Sequence, residues 1–446
     1  KSAVAGSGNG VLPLLGTGST LAFLNLNTIA AVDVCTTSTV ASVTVAGDAL
    51  GVPSYTAQNC GSATNLTTTN VRPDGGLSDV EPPFFTNKDS SSLERVSANS
   101  VTFGVIVSKN LYRALQRAEG LNFSTTTPDT TLTSSVTGIA SVPVNDNEAN
   151  MPSLTRDVVA SVFSGQFSDW SSLKVASGTN APALTTFDGT DPAIGTNAAV
   201  PKPAPADTTA YLARRVPSSG TQKASELFFF GGTSAVDDDG LGLGNGAPAY
   251  CNPTALVFDV SPSQPNADAE SICTAPGGQR VFNGSGTGNV RNCVSNHWTG
   301  NRWAVGIASA ESGYSTANNW RFIKIDGYAP SLLNVYTNKY KHWVSQSANK
   351  PAYFSSLSAN KQNAVNSVFA GLSSQGVLKA VNQTLAQVWG AGALFALQEN
   401  GAVPNPLPVT QAKIQANPGL PLTRALLGTT DNCQLPQYTS ETQIAP

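Results

Sequence analysis

Residues 210–230 read AYLARRVPSSGTQKASELFFF. The first seven residues read as a strand, Pro217 to Ser219 as a tight turn, and Gly220 to Phe230 as a helix. That helix turns Ala224, Leu227 and Phe228 toward a core. Its first turn carries backbone N–H groups with no intrahelical partner and the positive end of the helix dipole. Gly220 lets a ligand come close to the backbone, and Ser218, Ser219 and Thr221 add hydroxyl donors. Arg215 supplies a planar fork that matches an oxyanion. Together these residues make an anion cradle. They also make an ordinary serine-capped helix with a surface arginine, and the stretch alone does not separate the two.

The rest of the chain narrows the choice. It has 446 residues, which predicts two or three structural units. Hydrophobic residues make up 40%, enough for a sizeable core, whereas charged residues are only 12%, about half the usual ~25%. The formal net charge is -3, which argues against nucleic acid or an anionic membrane as a partner. The six cysteines include no CxxC pair, so zinc-ribbon and thioredoxin chemistry do not fit. Their even number and wide spacing predict three disulfides in an oxidising compartment. Cys35 with Cys60 is the expected local pair, and the other four allow three pairings. The chain begins KSAVAGSGNG, without an initiator Met or an apolar signal core. It reads as a mature, exported, soluble chain, periplasmic or extracellular. No run approaches the ~18 apolar residues of a membrane span.

Along the chain, VLPLL (11–15) reads as a strand and LAFLNLNTIAAV (21–32) as a helix. SVTVAG and PSYTAQNC carry β-branched and aromatic residues, and VTFGVIVS (101–108) reads as a buried strand. SLTRDVVASVFSG (153–165) reads as a helix capped by Thr155 and ended by Gly165. Residues 231–300 read as loop-rich, 302–309 and 320–327 as strands, and 361–401 as mostly helical. The alternation predicts an α/β fold with mixed sheets.

Catalytic material is sparse. His297 and His342 are the only histidines, too few for a His metal site and poor material for a Ser-His-Asp triad. His297, beside Trp298, reads as a packed loop residue. Two Ser-x-x-Lys strings, Ser347–Lys350 and Ser358–Lys361, have no Lys-Thr-Gly companion. DDDG (237–240) lacks the alternating ligands of an EF-hand. The glycines of NGSGTGNV (283–290) read as lacking the strand–helix setting of a dinucleotide site. No cofactor, metal or catalytic residue is expected.

Several motifs together carry a family likeness. RVPSSGT (215–221) resembles the Arg-x-Asp-x-Ser-Gly-Thr turn that opens a helix in the phosphate-binding proteins of ABC importers. LTRDVVASVFSGQFSDW (154–170) is similar to that family's Leu-Thr…Trp helix. GTGSTL (16–21) is similar to its early glycine loop, GSATN (61–65) to its second Gly-Ser loop, and GGLSDVEP (75–82) to its Gly-Ala-Ser-Asp-Ala-Pro segment. GTGNV (286–290) followed by WAVGIASAE (303–311) resembles a later segment. The matches keep the family's order over roughly residues 11 to 330.

The resemblance implies a two-lobed periplasmic-binding-protein-like α/β fold, with mixed sheets of about five strands flanked by helices and a cleft between lobes. One lobe would hold 1–104 and 305–446, the other 105–304. It implies a non-catalytic solute-binding protein that holds a small oxyanion, phosphate first, and serves an ABC permease. The implied ligand shell is Ser19, Thr20, Ser62, Ser78, Asp79, Arg215, Ser219, Gly220 and Thr221. Where the family carries Asp in the turn, this chain carries Pro217, which leaves Asp79 as acceptor for the oxyanion's proton. The alternative expectation is an extracellular or cell-surface subunit that self-assembles on a recruited binding-protein fold. Low charge, cysteines and extra loops suit that role.

Overall fold

A computed structural model of the chain describes residues 6–16, 20–24, 35–40, 55–60, 68–85, 90–123, 126–129, 142–175, 181–194, 198–230, 280–426, 429–430, 432 and 436–439. The main sheet contains β1 (Gly76–Ser78), β2 (Glu94–Ser108), β3 (Tyr211–Arg215), β4 (Val281–Gly284), β5 (Ala304–Ser309), β6 (Trp320–Phe322), β7 (Trp343–Lys350) and β8 (Leu394–Ala396). The helices are α1 (Lys109–Ala118), α2 (Arg156–Phe163), α3 (Gly220–Phe230), α4 (Thr287–Thr299), α5 (Leu332–Tyr336), α6 (Ala359–Ser373), α7 (Gln375–Gln383) and α8 (Gln411–Ala416).

The organising element is β2. It runs for 15 residues, and everything from Ser97 to Ser108 is buried. Such a strand lies inside its sheet, covered on both faces, and β2 has two sets of neighbours along its edges. Its first half pairs antiparallel with β7 and β8, with Val344 opposite Val101 and Phe395 opposite Ser100. β1 then pairs with β7. Its second half pairs antiparallel with β5 and β6, with Val305 opposite Val107 and Phe322 opposite Ile106. β5 continues in parallel to β3, and β3 to β4. The fold is thus α/β, with one mixed sheet, flanked by helices, whose two halves share a single long strand.

Each half of β2 has its own core. Val105, Ile106 and Val107 belong to a large cluster with Leu212, Val290 and Trp303. Val101 and Phe103 belong to a smaller one with Val80, Leu227, Val344 and Leu394. Gly104 stands between them. A Cβ there would lie 2.6 Å from the Phe322 ring, so glycine is what lets β6 join at this point.

Helix α2 has the expected cap: Thr155 Oγ1 accepts from Val158 N–H at 3.3 Å. Gly165, at φ 79, ends the segment. Phe163 of α2 stacks on Phe229 of α3 with ring centres 5.4 Å apart.

Several expectations need correction. VLPLL is not a strand; Leu12–Leu15 is a 3-10 turn with Pro13 in its first turn, and Val11 and Leu14 pack on Leu93. Leu21–Leu24 does not begin a helix but pairs antiparallel with Thr68–Val71; residues 25–32 lie outside the described residues. The helical reading of 361–401 holds to Gln383. Gly390 and Gly392 then take φ of 103 and 113, and the chain enters β8 instead. Val281–Gly284 and Thr287–Thr299 give NGSGTGNV the strand–helix setting it was read as lacking, and place His297 on α4 rather than in a loop.

Cys35–Val40 and Tyr55–Cys60 form an antiparallel ladder in which Cys35 and Cys60 are direct partners. Cys293 is disulfide-bonded. SVTVAG, DDDG, Cys251, Cys273 and Cys433 lie outside the described residues. Among the described residues, no helix is long and apolar enough to cross a membrane.

Candidate functional site

Strand β3 ends at Arg215, and five residues later α3 begins at Gly220. Ser219 N–H donates to Val216 O at 2.9 Å, which closes the turn. Strand β4 lies in parallel beside β3 and ends in Gly284, two residues before α4's Gly286 cap. Two helix N-termini and one arginine therefore meet at the carboxyl ends of parallel strands, where open α/β sheets place ligands.

The Arg215 guanidinium is held by this arrangement. Its Nε donates to Gly284 O at 3.2 Å, Nη1 to Thr287 Oγ1 at 3.0 Å and Nη2 to Ser285 O at 2.7 Å. A guanidinium has five N–H groups, so each terminal nitrogen keeps one for another acceptor. Burial makes the Arg215 cation easier to deprotonate than a free arginine, and the charge of Asp79 opposes that shift.

The other wall comes from the opposite half of the sheet. Asp79 follows β1 directly and accepts from Gln346 Nε2 of β7 at 2.8 Å. Its own N–H donates to Ser7 Oγ at 3.0 Å. The loop carrying Ser7 is tied to the α3 turn, because Gly8 N–H donates to Ser218 O at 3.0 Å. Burial raises the Asp79 carboxyl above the usual range; the hydrogen bonds of Gln346 and Ser7 and the charge of Arg215 pull the other way. A carboxyl so placed holds a proton more readily than a surface aspartate.

Between these walls is a cavity of about 220 Å³. Asp79, Arg215, Ser219, Gly220 and Thr221 line it, with Gly6, Ser7 and Leu77 completing the rim. Gly220 is the tightest point. A Cβ there would meet Ser7 Oγ and would lie 2.5 Å from Asp79 Oδ2. Only glycine lets the helix start approach the carboxylate this closely.

The structure thus brings together five of the residues singled out from sequence, Asp79 from the end of β1 and four from the β3–α3 turn. Ser78 is not among them: its hydroxyl donates to Val80 O at 2.6 Å and accepts from Asn349 Nδ2 at 3.2 Å, inside the sheet. Alternation along a strand sends Ser78 and Asp79 in opposite directions. Thr20 is exposed beside Leu21–Leu24 and does not line the cavity. Ser19 and Ser62 lie outside the described residues. The glycine loop at the cavity is Gly6–Gly8, where 16–21 was expected.

Three contributors were not read from sequence. Ser7 was passed over although GSG precedes the first apolar run. Gln346 sits on β7, a strand that was not recognised. Glu311, just past β5, has its carboxyl raised by the surrounding protein and by the negative charge of Asp79, against a hydrogen bond from Ser309. Two carboxyls with raised affinity for protons therefore share this region.

No family model matches the chain, and no curated protein matches it in sequence. Among solved structures, it is similar to an ABC-type phosphate transport receptor from Vibrio cholerae (14% identity, 70% of this chain and 80% of that one, TM-score 0.32). It is also similar to a phosphate-binding protein from Stenotrophomonas maltophilia (12% identity, 71% and 76%, TM-score 0.35). A third is PstS from Borrelia burgdorferi (9% identity, 69% and 77%, TM-score 0.30). At these scores the likeness says nothing about ligand or partner.

Proposed function

We propose that this chain is a non-catalytic solute-binding protein that holds a small oxyanion, phosphate first, in the cavity between Asp79 and Arg215. The carrying observation is that a buried carboxyl with raised proton affinity faces a buried arginine across a helix start that only glycine fits. Arg215 and the α3 N–H groups suit the charge of an oxyanion, and Asp79 suits a proton that the oxyanion still carries. Ser7, Ser219 and Thr221 are the hydroxyls we assign to its remaining oxygens. On this reading 1–104 with 305–446, and 105–304, are lobes that close on the ligand, and the chain works in the periplasm or outside the cell, delivering to an ABC permease.

Calorimetry with phosphate tests the reading. Arg215→Ala should weaken binding by about 1.5–3 kcal/mol, roughly 10- to 150-fold. Gly220→Ala should weaken it too, since Ser7 or Asp79 must move. Wild-type protein that does not bind phosphate, sulfate or a phosphonate, or an Arg215→Ala variant of unchanged affinity, would dismiss the site.

A second reading has an observation of its own. Three Arg215 N–H groups already bind protein oxygens, and the Asp79 carboxylate lies against the α3 start. The cradle can therefore be neutralised from within, as in a structural subunit that kept the fold and lost the ligand. Concentration-dependent assembly in light scattering, indifferent to phosphate, favours that reading.

Export to an oxidising compartment goes with either role. We propose that all six cysteines are paired, Cys35 with Cys60 across their shared ladder. Titration of the unfolded, unreduced protein should find no free thiol; two or more per chain would refute the pairing.

A further inference from the structure

We propose that a second cavity, in the larger lobe, is a binding site for a small monocarboxylate with an apolar body. It has a volume of about 540 Å³, within the roughly 300–1,000 Å³ of small-molecule sites. It shares no lining residue with the anion cavity.

Its floor is charged. Lys109 and Arg113 lie one turn apart on α1 and face Asp146, Asp191 and Arg321. Arg113 Nε donates to Asp191 at 2.9 Å and Nη1 to Asp146 at 2.8 Å. Arg321 Nε donates to Asp146 at 3.2 Å, and Lys109 pairs with Asp191. Three cations thus share two carboxylates, an excess of one positive charge. Arg113 is fully buried, and its Nη2 has no hydrogen-bond partner. Arg113 therefore sets the charge beneath the floor, and Lys109, whose side chain is 12% exposed, is the cation that meets the cavity. Burial, then the charge of Arg321, makes the Lys109 ammonium easier to deprotonate; a bound anion offsets both effects.

The walls are apolar: Pro143, Pro192, Ile194, Val200 and Trp298. One surplus positive charge over such walls fits one carboxylate and a hydrocarbon or aromatic body. A dianion such as phosphate would meet Asp146 and Asp191 without filling the apolar side.

The probes are benzoate, phenylacetate and neutral benzamide, titrated calorimetrically into the intact chain. At least one acid should bind and benzamide should not. Lys109→Met should weaken the acid at least tenfold. Ala198→Trp, at an exposed wall position that tolerates a large side chain, should block it. Excess phosphate should not displace it, which separates this site from the anion cradle. No binding of either acid, equal binding of benzamide, indifference to both substitutions, or displacement by phosphate would overturn the proposal.

Discussion

Asp146→Asn should destabilise the protein by about 3–5 kcal/mol, the usual cost of removing one partner from a buried ion pair. Asp146 is 1% exposed and accepts from Arg113, from Arg321 and, at 3.0 Å, from Tyr314 Oη. Asparagine keeps the shape but removes the charge, leaving two buried guanidinium groups against an amide. Burial alone would raise the Asp146 carboxyl. The charges of Arg113, Arg321 and Lys109, with the Tyr314 hydrogen bond, overcome that and hold it far below the usual range. A depressed folded-state value fixes the sign. The stabilisation is complete above the unfolded value of about 3.9 and is lost as pH falls toward the folded one. Urea unfolding at pH 7 should show a lower midpoint for the variant with an unchanged slope. A loss under about 1 kcal/mol would mean that the pair is no better than a surface one.

The elements that were legible in the sequence are those whose local pattern and tertiary place agree. The β3–turn–α3 unit is one: its strand, proline turn and apolar helix face need no distant partner to be recognised. VTFGVIVS announced a central strand through unbroken burial. What it could not announce was its length, since Glu94 to Ala98 join only because β7 runs beside them. Strand β7 itself, WVSQSANK, is polar at every second position or more, yet Ser345, Ser347 and Asn349 are buried. Asn349 donates to Ser78 and Ser345 N–H donates to Asn432, partners 271 and 87 residues away. No window of sequence shows such partners, so Gln346 stayed hidden with its strand. Leu21–Leu24 failed for the opposite reason: four apolar residues suit helix or strand, and pairing with Thr68–Val71 decided. At the site, Arg215, Ser219, Gly220 and Thr221 were readable because they are contiguous. Asp79 came through the likeness of GGLSDVEP alone, and Ser7 was missed because a glycine–serine loop looks the same at residue 6 as at residue 16.

Acid should act on the fold through its two buried histidines. His342 is 1% exposed, stacked on Phe228 with ring centres 4.5 Å apart and planes 4° from parallel. Ser225 Oγ donates to Thr221 O at 2.8 Å, so its contact with His342 Nε2 at 3.1 Å makes the imidazole the donor. Nδ1 is then the site left to protonate, and it has no partner. Burial, then the charges of Arg424 and Arg156, lowers the His342 value to about 3. His297, 2% exposed and packed at a tilt against Tyr211, is lowered to about 4 by burial and by Arg302, against the opposite pull of Asp207. Both folded-state values lie below the unfolded value of about 6.5, so below that pH the unfolded chain takes up protons that the fold refuses. Stability is therefore complete above about pH 6.5 and declines toward each folded value. At pH 5 each histidine should cost about 2 kcal/mol, from 1.36 kcal/mol per unit over roughly 1.5 units. Together the two histidines should contribute a loss of about 4 kcal/mol between pH 7.5 and 5 in urea unfolding, which the raised carboxyls of Asp79 and Glu311 oppose. His342→Phe, which preserves the stack on Phe228 and cannot be protonated, should flatten that dependence to about half. A His342→Phe variant whose stability changes with pH as its parent's does would show that the ring is protonated in the folded protein.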